Sequence, residues 1–220
     1  TDQIGRDNLS RVIYGSRISL AVGLLSVLLG IGIGALWGLA SGYVGGTFDL
    51  VSQRFLEVLM AMPGLILALA LALVLGAGFW TIIIAIAVTR VPVAARVIRA
   101  TAMSVKYMLY AEAARSIGAS QMRVMLLHVA PQCFAPFIVL VTVNLGVAII
   151  TEASLSFIGL GVAPPTPTWG GMLGEASNSL IPLWWMVVFP GVFIVVAVLA
   201  FNLLGDGLRD VLDPRMRGAR

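Results

Sequence analysis

Few side chains in this chain of 220 residues are of a kind that does chemistry. It has ten carboxylates, one histidine and one cysteine. With only His128 and Cys133 available, neither a disulfide within the chain nor a metal site of the usual His and Cys spacing is expected. Lys106 is the only lysine, and no G-x-x-x-x-G-K-[ST] phosphate-binding loop occurs. We therefore predict no catalytic residue, no bound cofactor and no metal site, and any energy source must lie in a partner.

One polar segment, YAEAARSIGASQMRVMLLHVAP at 110–131, interrupts long uncharged runs. Its first part has good helix formers up to Arg115, and Gly118 is suited to the left-handed cap that ends a helix. A second short helix follows, with apolar residues at helical spacing, and Pro131 is expected to end it. The segment is predicted to form a helix, a glycine elbow and another helix.

The first of these helices carries one carboxylate, Glu112, among the three alanines Ala111, Ala113 and Ala114. Such a surface, nearly bare of side chains, is suited to enter a groove on another protein. The alternative is an amphipathic helix that lies on the lipid surface. Composition alone favours neither.

The elements that position this segment are membrane helices. Hydrophobic residues make up 60% of the chain and charged residues 11%, and the mean hydropathy is +1.02. These values lie far outside those of soluble domains. We expect an all-α polytopic membrane protein, one domain over residues 1–220. The net charge of +4 forms no continuous basic stripe, so membrane lipid is an expected partner and nucleic acid is not.

Five transmembrane helices are predicted from the uncharged runs. The run at 58–89 is too long for one crossing, so we place a tight turn at the glycines of 76–78. The predicted spans are 18–42, 55–75, 79–100, 133–155 and 182–204, with a cytoplasmic segment at about 104–130 and a Gly- and Pro-rich external loop at about 156–180.

A stripe of glycines runs down the first span at every fourth position. Such a stripe lets another helix backbone approach closely. Packing within the chain is favoured over a contact between subunits. The glycines are Gly30, Gly34, Gly38 and Gly42.

The distribution of Lys and Arg predicts the orientation. Eleven of the fourteen fall on the side that holds the polar segment and the carboxyl terminus, and Arg6, Arg11 and Arg17 precede the first span. The positive-inside rule places the polar segment and the carboxyl terminus in the cytoplasm. Three arginines in an external amino terminus would disfavour membrane insertion in this orientation. A sixth helix is therefore expected upstream of Thr1.

The polar segment resembles the EAA motif of permease subunits in binding-protein-dependent ABC importers, whose pattern is E-A-A, three residues, G, nine residues, I-x-L-P. The residues that match in register are Glu112, Ala113, Ala114, Gly118 and Pro131. His128 and Ala130 stand where the motif has Ile and Leu.

Other stretches resemble the dipeptide, oligopeptide and nickel permease family, in the subunit type of the dipeptide permease C protein. They are TDQIGRDNLSRVIYGSRISL at 1–20, LSFIGLGVAPPTPTWG at 155–170 and AFNLLGDGLRDVLDP at 200–214, and the resemblance covers essentially the whole chain. In that family an additional helix precedes the first stretch.

The resemblance implies the transmembrane domain of a type I ABC importer in a bacterial inner membrane, with di- or oligopeptides as substrates. The implied partners are a second homologous permease subunit, two cytoplasmic ATP-binding subunits that use ATP and Mg, and an external substrate-binding protein. ATP-driven closure of those subunits would push Glu112 to Gly118 as a lever, and the fourth and fifth spans would tilt to alternate the path between outside-open and inside-open. The implied coupling residues are Ala111, Glu112, Ala113, Ala114, Gly118 and Pro131.

Two polar residues of the fourth span are candidates for the translocation path. Glu152 lies near the outer end, where a carboxylate in lipid is costly unless it faces protein or water. It could meet a substrate amine or cation, or pair with an arginine and anchor the external loop. Asn144, two turns deeper, could face the same path or form a hydrogen bond across helices.

Two other classes of membrane protein fit the sequence less well. An ion-coupled secondary transporter should carry several ionisable residues at mid-membrane and show inverted repeats, whereas Glu152 is nearly alone and no clear repeat is present. A non-transporting membrane scaffold would not need the helix, elbow and helix. The sequence leaves the substrate open among dipeptides, longer peptides, nickel, glutathione and opines.

Overall fold

The computed structural model describes residues 1–2, 4–179 and 183–212, and every regular element in that part of the chain is a helix. Four stretches are long and apolar enough to cross a membrane, and a bent pair of shorter helices makes up to five. The helices are α1 (Asn8–Val44), α2 (Gly46–Met60), α3 (Gly64–Leu75), α4 (Phe79–Val105), α5 (Leu109–Ser116), α6 (Gln121–Val124), α7 (Phe134–Phe157), α8 (Trp169–Ser177) and α9 (Trp184–Leu212).

Helix α1 is longer than the span predicted at 18–42, because its first turns are polar and hydropathy does not detect them. It has 37 residues, and the Asp7 side chain caps it by accepting a hydrogen bond from the Ser10 amide at 2.8 Å. At 1.5 Å per residue it is about 55 Å long, so its ends extend past a bilayer core of about 30 Å. The predicted start of the last span, at 182, lies outside the described residues.

The span predicted at 55–75 is not one straight helix but part of a bent pair. Helix α2 ends at Met60, α3 begins at Gly64, and their axes differ by 85°. Pro63 explains the break, since its ring disfavours helical geometry in the residue before it and it has no N–H to donate. At the other end of α3, Gly76 has φ 84°, and α4 begins at Phe79.

The glycine stripe of α1 packs against α4 within the chain. A Cβ on Gly30, Gly34, Gly38 or Gly42 would lie within 3 Å of the backbone of α4. Only glycines therefore permit the observed distance between the two helices.

A partly buried ion pair ties α1, α2 and α4 together. Arg99 donates to both carboxylate oxygens of Asp49 at 2.5 Å, and the Ser41 hydroxyl donates to the same carboxylate at 2.5 Å. Each helix contributes one of the three side chains, so the pair fixes where the amphipathic α2 lies.

Helix α8 lies within the segment predicted as an external loop at 156–180. Thr168 caps it by accepting from the Gly171 amide at 3.0 Å. Trp169 is buried, and its indole N–H donates to the Val12 carbonyl at 3.0 Å. This bond attaches α8 to α1.

A four-residue ionic network joins α8 to the residues that precede α1 and to Arg11 near the start of α1. Arg6 and Arg11 both donate to Asp2, at 2.5 and 3.1 Å, and both donate to Glu175 of α8, at 3.0 and 2.9 Å. Burial raises the pKa of Asp2, but hydrogen bonds from Arg6 outweigh it and hold this pKa below its usual value.

Candidate coupling segment

Helix α5 exposes fewer of its alanines than the sequence suggested. Ala111 and Ala114 are buried and pack in a cluster with Val124 and Val129, and only Ala113 of the three alanines is exposed. Residues three apart lie on the same face of a helix. Ala111 and Ala114 therefore fix α5 to the rest of the chain, and the idea that all three alanines face a partner is wrong.

The outward surface of α5 combines one carboxylate with exposed apolar side chains. Glu112 and Ala113 are exposed, and Leu109 and Ile117 are exposed by 84% and 87%. We call Leu109, Glu112, Ala113 and Ile117 the docking face. Large apolar side chains this exposed are typical of a surface that another molecule covers.

The glycine elbow has the predicted conformation. Gly118 has φ 86°, the left-handed region in which a side chain is strained. Its amide donates to the Arg115 carbonyl at 2.9 Å, and the Ala119 amide donates to the Ala114 carbonyl at 3.1 Å. These two bonds form a Schellman cap, so α5 ends with its carbonyls satisfied.

The prediction that Pro131 ends the second short helix is wrong. A π-helical turn (Met125–Val129) and a 3₁₀ turn (Ala130–Cys133) follow α6 and lead directly into α7. Pro131 lies in the first turn of the 3₁₀ segment, where a missing N–H costs no hydrogen bond. The helical stretch Gln121–Phe157 therefore runs on without a break, and we call it the rod.

Hydrogen bonds link the coupling segment to the carboxyl-terminal ends of α1 and α4. Lys106 is buried and donates to the carbonyls of Gly42 and Tyr43 at 3.0 and 3.3 Å, at the end of α1. Arg115 donates to the Lys106 carbonyl at 2.9 Å, and the Tyr43 hydroxyl donates to Gln121 at 2.7 Å. These hydrogen bonds were not predicted from the sequence. The only sequence feature that pointed to them is that Lys106 is the sole lysine.

Residues 30–218 match the protein family described as binding-protein-dependent transport system inner membrane component. The chain belongs to this family. The permease is 48% identical over 217 residues to a glutathione transport system permease protein, GsiD, of Escherichia coli O1:K1 / APEC, with 99% of this chain and 72% of the relative covered. GsiD of Pectobacterium atrosepticum is 43% identical over 216 residues, with 98% and 72% covered.

Solved structures of ABC transporters share the fold of the permease. An inward-facing MetNI methionine ABC transporter aligns with a TM-score of 0.76 at 18% identity, covering 93% of this chain and 97% of that chain. An amino acid ABC transporter with histidines aligns with a TM-score of 0.64 at 20% identity, covering 93% and 98%. The permease therefore has the fold of a type I ABC importer transmembrane domain.

Glu152 and Asn144, the candidates for the translocation path, do not reach an open surface. Glu152 is fully buried and accepts from the Ser156 hydroxyl at 2.7 Å, and within the described residues it forms no ion pair. Asn144 is buried and donates to the Leu140 carbonyl of its own helix at 2.8 Å. Packing of α7 against its neighbours turns both side chains inward, and no arginine within the described residues pairs with Glu152.

Proposed function

We propose that the permease forms half of the translocation path of an ATP-driven importer for small peptides in a bacterial inner membrane. The other half would be a second homologous permease subunit. Two ATP-binding subunits, which use ATP and Mg, and an external substrate-binding protein would complete the complex. Peptide chemistry is supported by the relatives, which are named as glutathione permeases. The carboxyl terminus would be cytoplasmic, although Arg215, Arg217 and Arg220, which support this orientation, lie outside the described residues.

The observation that carries this proposal is the docking face. Its two large apolar side chains are more than four-fifths exposed, yet Ala111 and Ala114 on the opposite side of α5 are buried. A helix seated in this way can enter a cleft of an ATP-binding subunit without losing its own packing. Glu112, in the middle of the face, supplies one charge for orientation.

The rod offers a path for force from the docking face to the external side. Its 37 residues span about 55 Å at 1.5 Å per residue. It packs closely on α9, where a Cβ on Gly146 would meet the Asn202 side chain at 3.0 Å and one on Gly205 would meet Thr142 at 3.2 Å. We expect closure of the ATP-binding subunits to push α5, and α7 and α9 to tilt together.

The test is made on the assembled complex in proteoliposomes, with ATP hydrolysis and peptide uptake measured in parallel. Glu112→Lys reverses the charge of the docking face, and Gly118→Pro forces φ to about −65° at a residue now in the left-handed region. Both variants are expected to insert and to lose uptake while hydrolysis by the ATP-binding subunits persists. The control is Asp210→Lys, the same charge change at an exposed residue of α9, which should transport normally.

A crosslinking measurement separates docking from the alternative of a helix on lipid. In a Cys133→Ser background, Ala113→Cys should crosslink to an ATP-binding subunit, because Ala113 is exposed on the docking face. Normal uptake in Glu112→Lys, or no crosslink from position 113, contradicts the proposal.

A further inference from the structure

In the part of the chain that the structure describes, Arg90 is a cation without a counter-ion inside the membrane-spanning region. It is the twelfth residue of α4, about 16 Å along the helix from Phe79 at 1.5 Å per residue. Its guanidinium donates to the Thr151 hydroxyl of α7 at 3.1 Å, and its Nε is buried without a hydrogen-bond partner. Within the described residues no carboxylate pairs with it.

An unpaired arginine at this depth is costly, so it needs a compensating group. The bond to Thr151 holds the side chain against α7 and prevents it from extending to the headgroups. Neutral Thr151 supplies hydrogen bonding but no charge. An anion from outside the described residues would compensate this charge.

A cavity of about 320 Å³ adjoins Arg90. It lies where the chain bends by 85° between α2 and α3, and its other walls are mostly apolar. Thr89 also lines it, and Met62 and Leu67 are among its apolar neighbours. A cavity of this size is at the lower limit of those that hold small ligands.

The amino-terminal end of α3, like Arg90, contributes positive electrostatic potential to the cavity. Pro63 precedes this helix and makes no side-chain cap, and both Pro63 and Gly64 line the cavity. The first amides of a helix have no partner within it, and its amino-terminal end carries a partial positive charge. Arg90 and α3 thus favour a negative group in the cavity, and both oppose a metal cation.

We propose that this cavity binds a carboxylate of the peptide in transit, with Arg90 as its counter-ion and Thr151 as a positioning residue. The inference rests on the proposed function and adds a substrate class, peptides with a free carboxylate, to it. A lipid phosphate is the less suitable anion, because Arg90 lies near the middle of its helix while headgroups lie about 15 Å from the bilayer centre. A free metal cation in the cavity is disfavoured by the positive charge of Arg90.

The test uses the assembled importer in phosphatidylcholine vesicles with labelled glutathione as the probe. Arg90→Met removes the charge, Arg90→Lys keeps the charge but loses the planar fork, and Arg96→Met changes an exposed arginine of the same helix as a control. Loss of a charge-assisted hydrogen bond predicts uptake about tenfold to a hundredfold lower in Arg90→Met. Arg90→Lys should be intermediate, and Arg96→Met should match the wild type.

ATP hydrolysis stimulated by the glutathione-loaded binding protein is measured on the same vesicles. It should be retained in Arg90→Met, because the docking face is untouched. If hydrolysis is stimulated but Arg90→Met takes up glutathione as fast as the wild type, the carboxylate site is refuted and the proposed function stands. If the wild type shows no stimulation with glutathione or with a dipeptide, the proposed function fails and this inference falls with it.

Two further outcomes would reassign the anion and overturn the inference. An Arg90→Met defect that appears only in vesicles containing phosphatidylglycerol would identify a lipid headgroup. Dissociation of the two permease subunits on size exclusion, specific to Arg90→Met, would identify a carboxylate of the second permease. Intact assembly and a defect independent of lipid charge support the peptide carboxylate.

Discussion

Because α1 and α4 pack closely, we expect alanine to be tolerated at Gly32 of α1 and to destabilise the protein at Gly38. A Cβ on Gly38 would lie within 3 Å of three backbone atoms of Ala95, whereas a Cβ on Gly32 would have nothing within 4 Å. Both residues lie in the same helix, within its apolar stretch. Gly38→Ala and Gly32→Ala therefore form a matched pair.

The magnitude follows from two effects. Replacing a helical glycine with alanine favours the helix by about 1 kcal/mol, and both variants gain this equally. Overpacking costs about 1–3 kcal/mol. Because backbone atoms of Ala95 cannot rotate away, the helices must separate, and Gly38→Ala is expected to be less stable than Gly32→Ala by about 1–3 kcal/mol.

Thermal unfolding of the purified protein in detergent measures the difference. A shift of roughly 2–4 °C for each kcal/mol is expected for a chain of this size. Ala95→Gly should not rescue Gly38→Ala, since the clashing atoms are backbone atoms that Ala95→Gly retains. Equal melting temperatures for Gly38→Ala and Gly32→Ala would refute the idea that this stripe sets the distance between the helices.

Two further predictions concern the charged residues. Arg99→Met leaves the Asp49 carboxylate unpaired and should lower the free energy of unfolding in detergent by about 1.5–3 kcal/mol. The double variant Arg99→Met with Asp49→Asn should lose less stability than the sum of the two single variants. Full additivity would contradict the coupling between the two side chains. In the ionic network between α8 and the start of α1, the lowered pKa of Asp2 means that its contribution to stability is present above its usual pKa of 3.8 and is lost as the pH falls through the lowered value. Asp2→Asn should therefore melt with less dependence on pH below 3.8 than the wild type, and identical pH profiles would argue against it.

Local features of the chain were predictable because their energies depend on neighbours in sequence. Long uncharged runs predicted a polytopic helical protein, since burial in lipid depends mainly on composition. Gly118 predicted the elbow because few other residues adopt its conformation. The EAA spacing carried the family resemblance, and the family match supports it.

Two kinds of feature were predicted less well: those that depend on which face of a helix points inward, and those for which two sequence signals conflict. Pro63 was visible, yet the apolar run around it suggested one continuous span. Pro131 was expected to stop a helix, but the wider π-helical turn before it removes the conflict. The alanines around Glu112 could not be assigned to faces without knowing what lies behind α5.

Composition and short-range spacing thus determined the membrane fold, the approximate spans and the resemblance to importer permeases. Tertiary structure alone decided which polar groups meet. Lys106 contacts Gly42 across 64 positions and Arg90 contacts Thr151 across 61, while Glu152 has no arginine partner within the described residues. The physical reason is that such pairings depend on the relative rotation of packed helices, here determined by the glycines of α1 against α4, and no local pattern encodes that rotation.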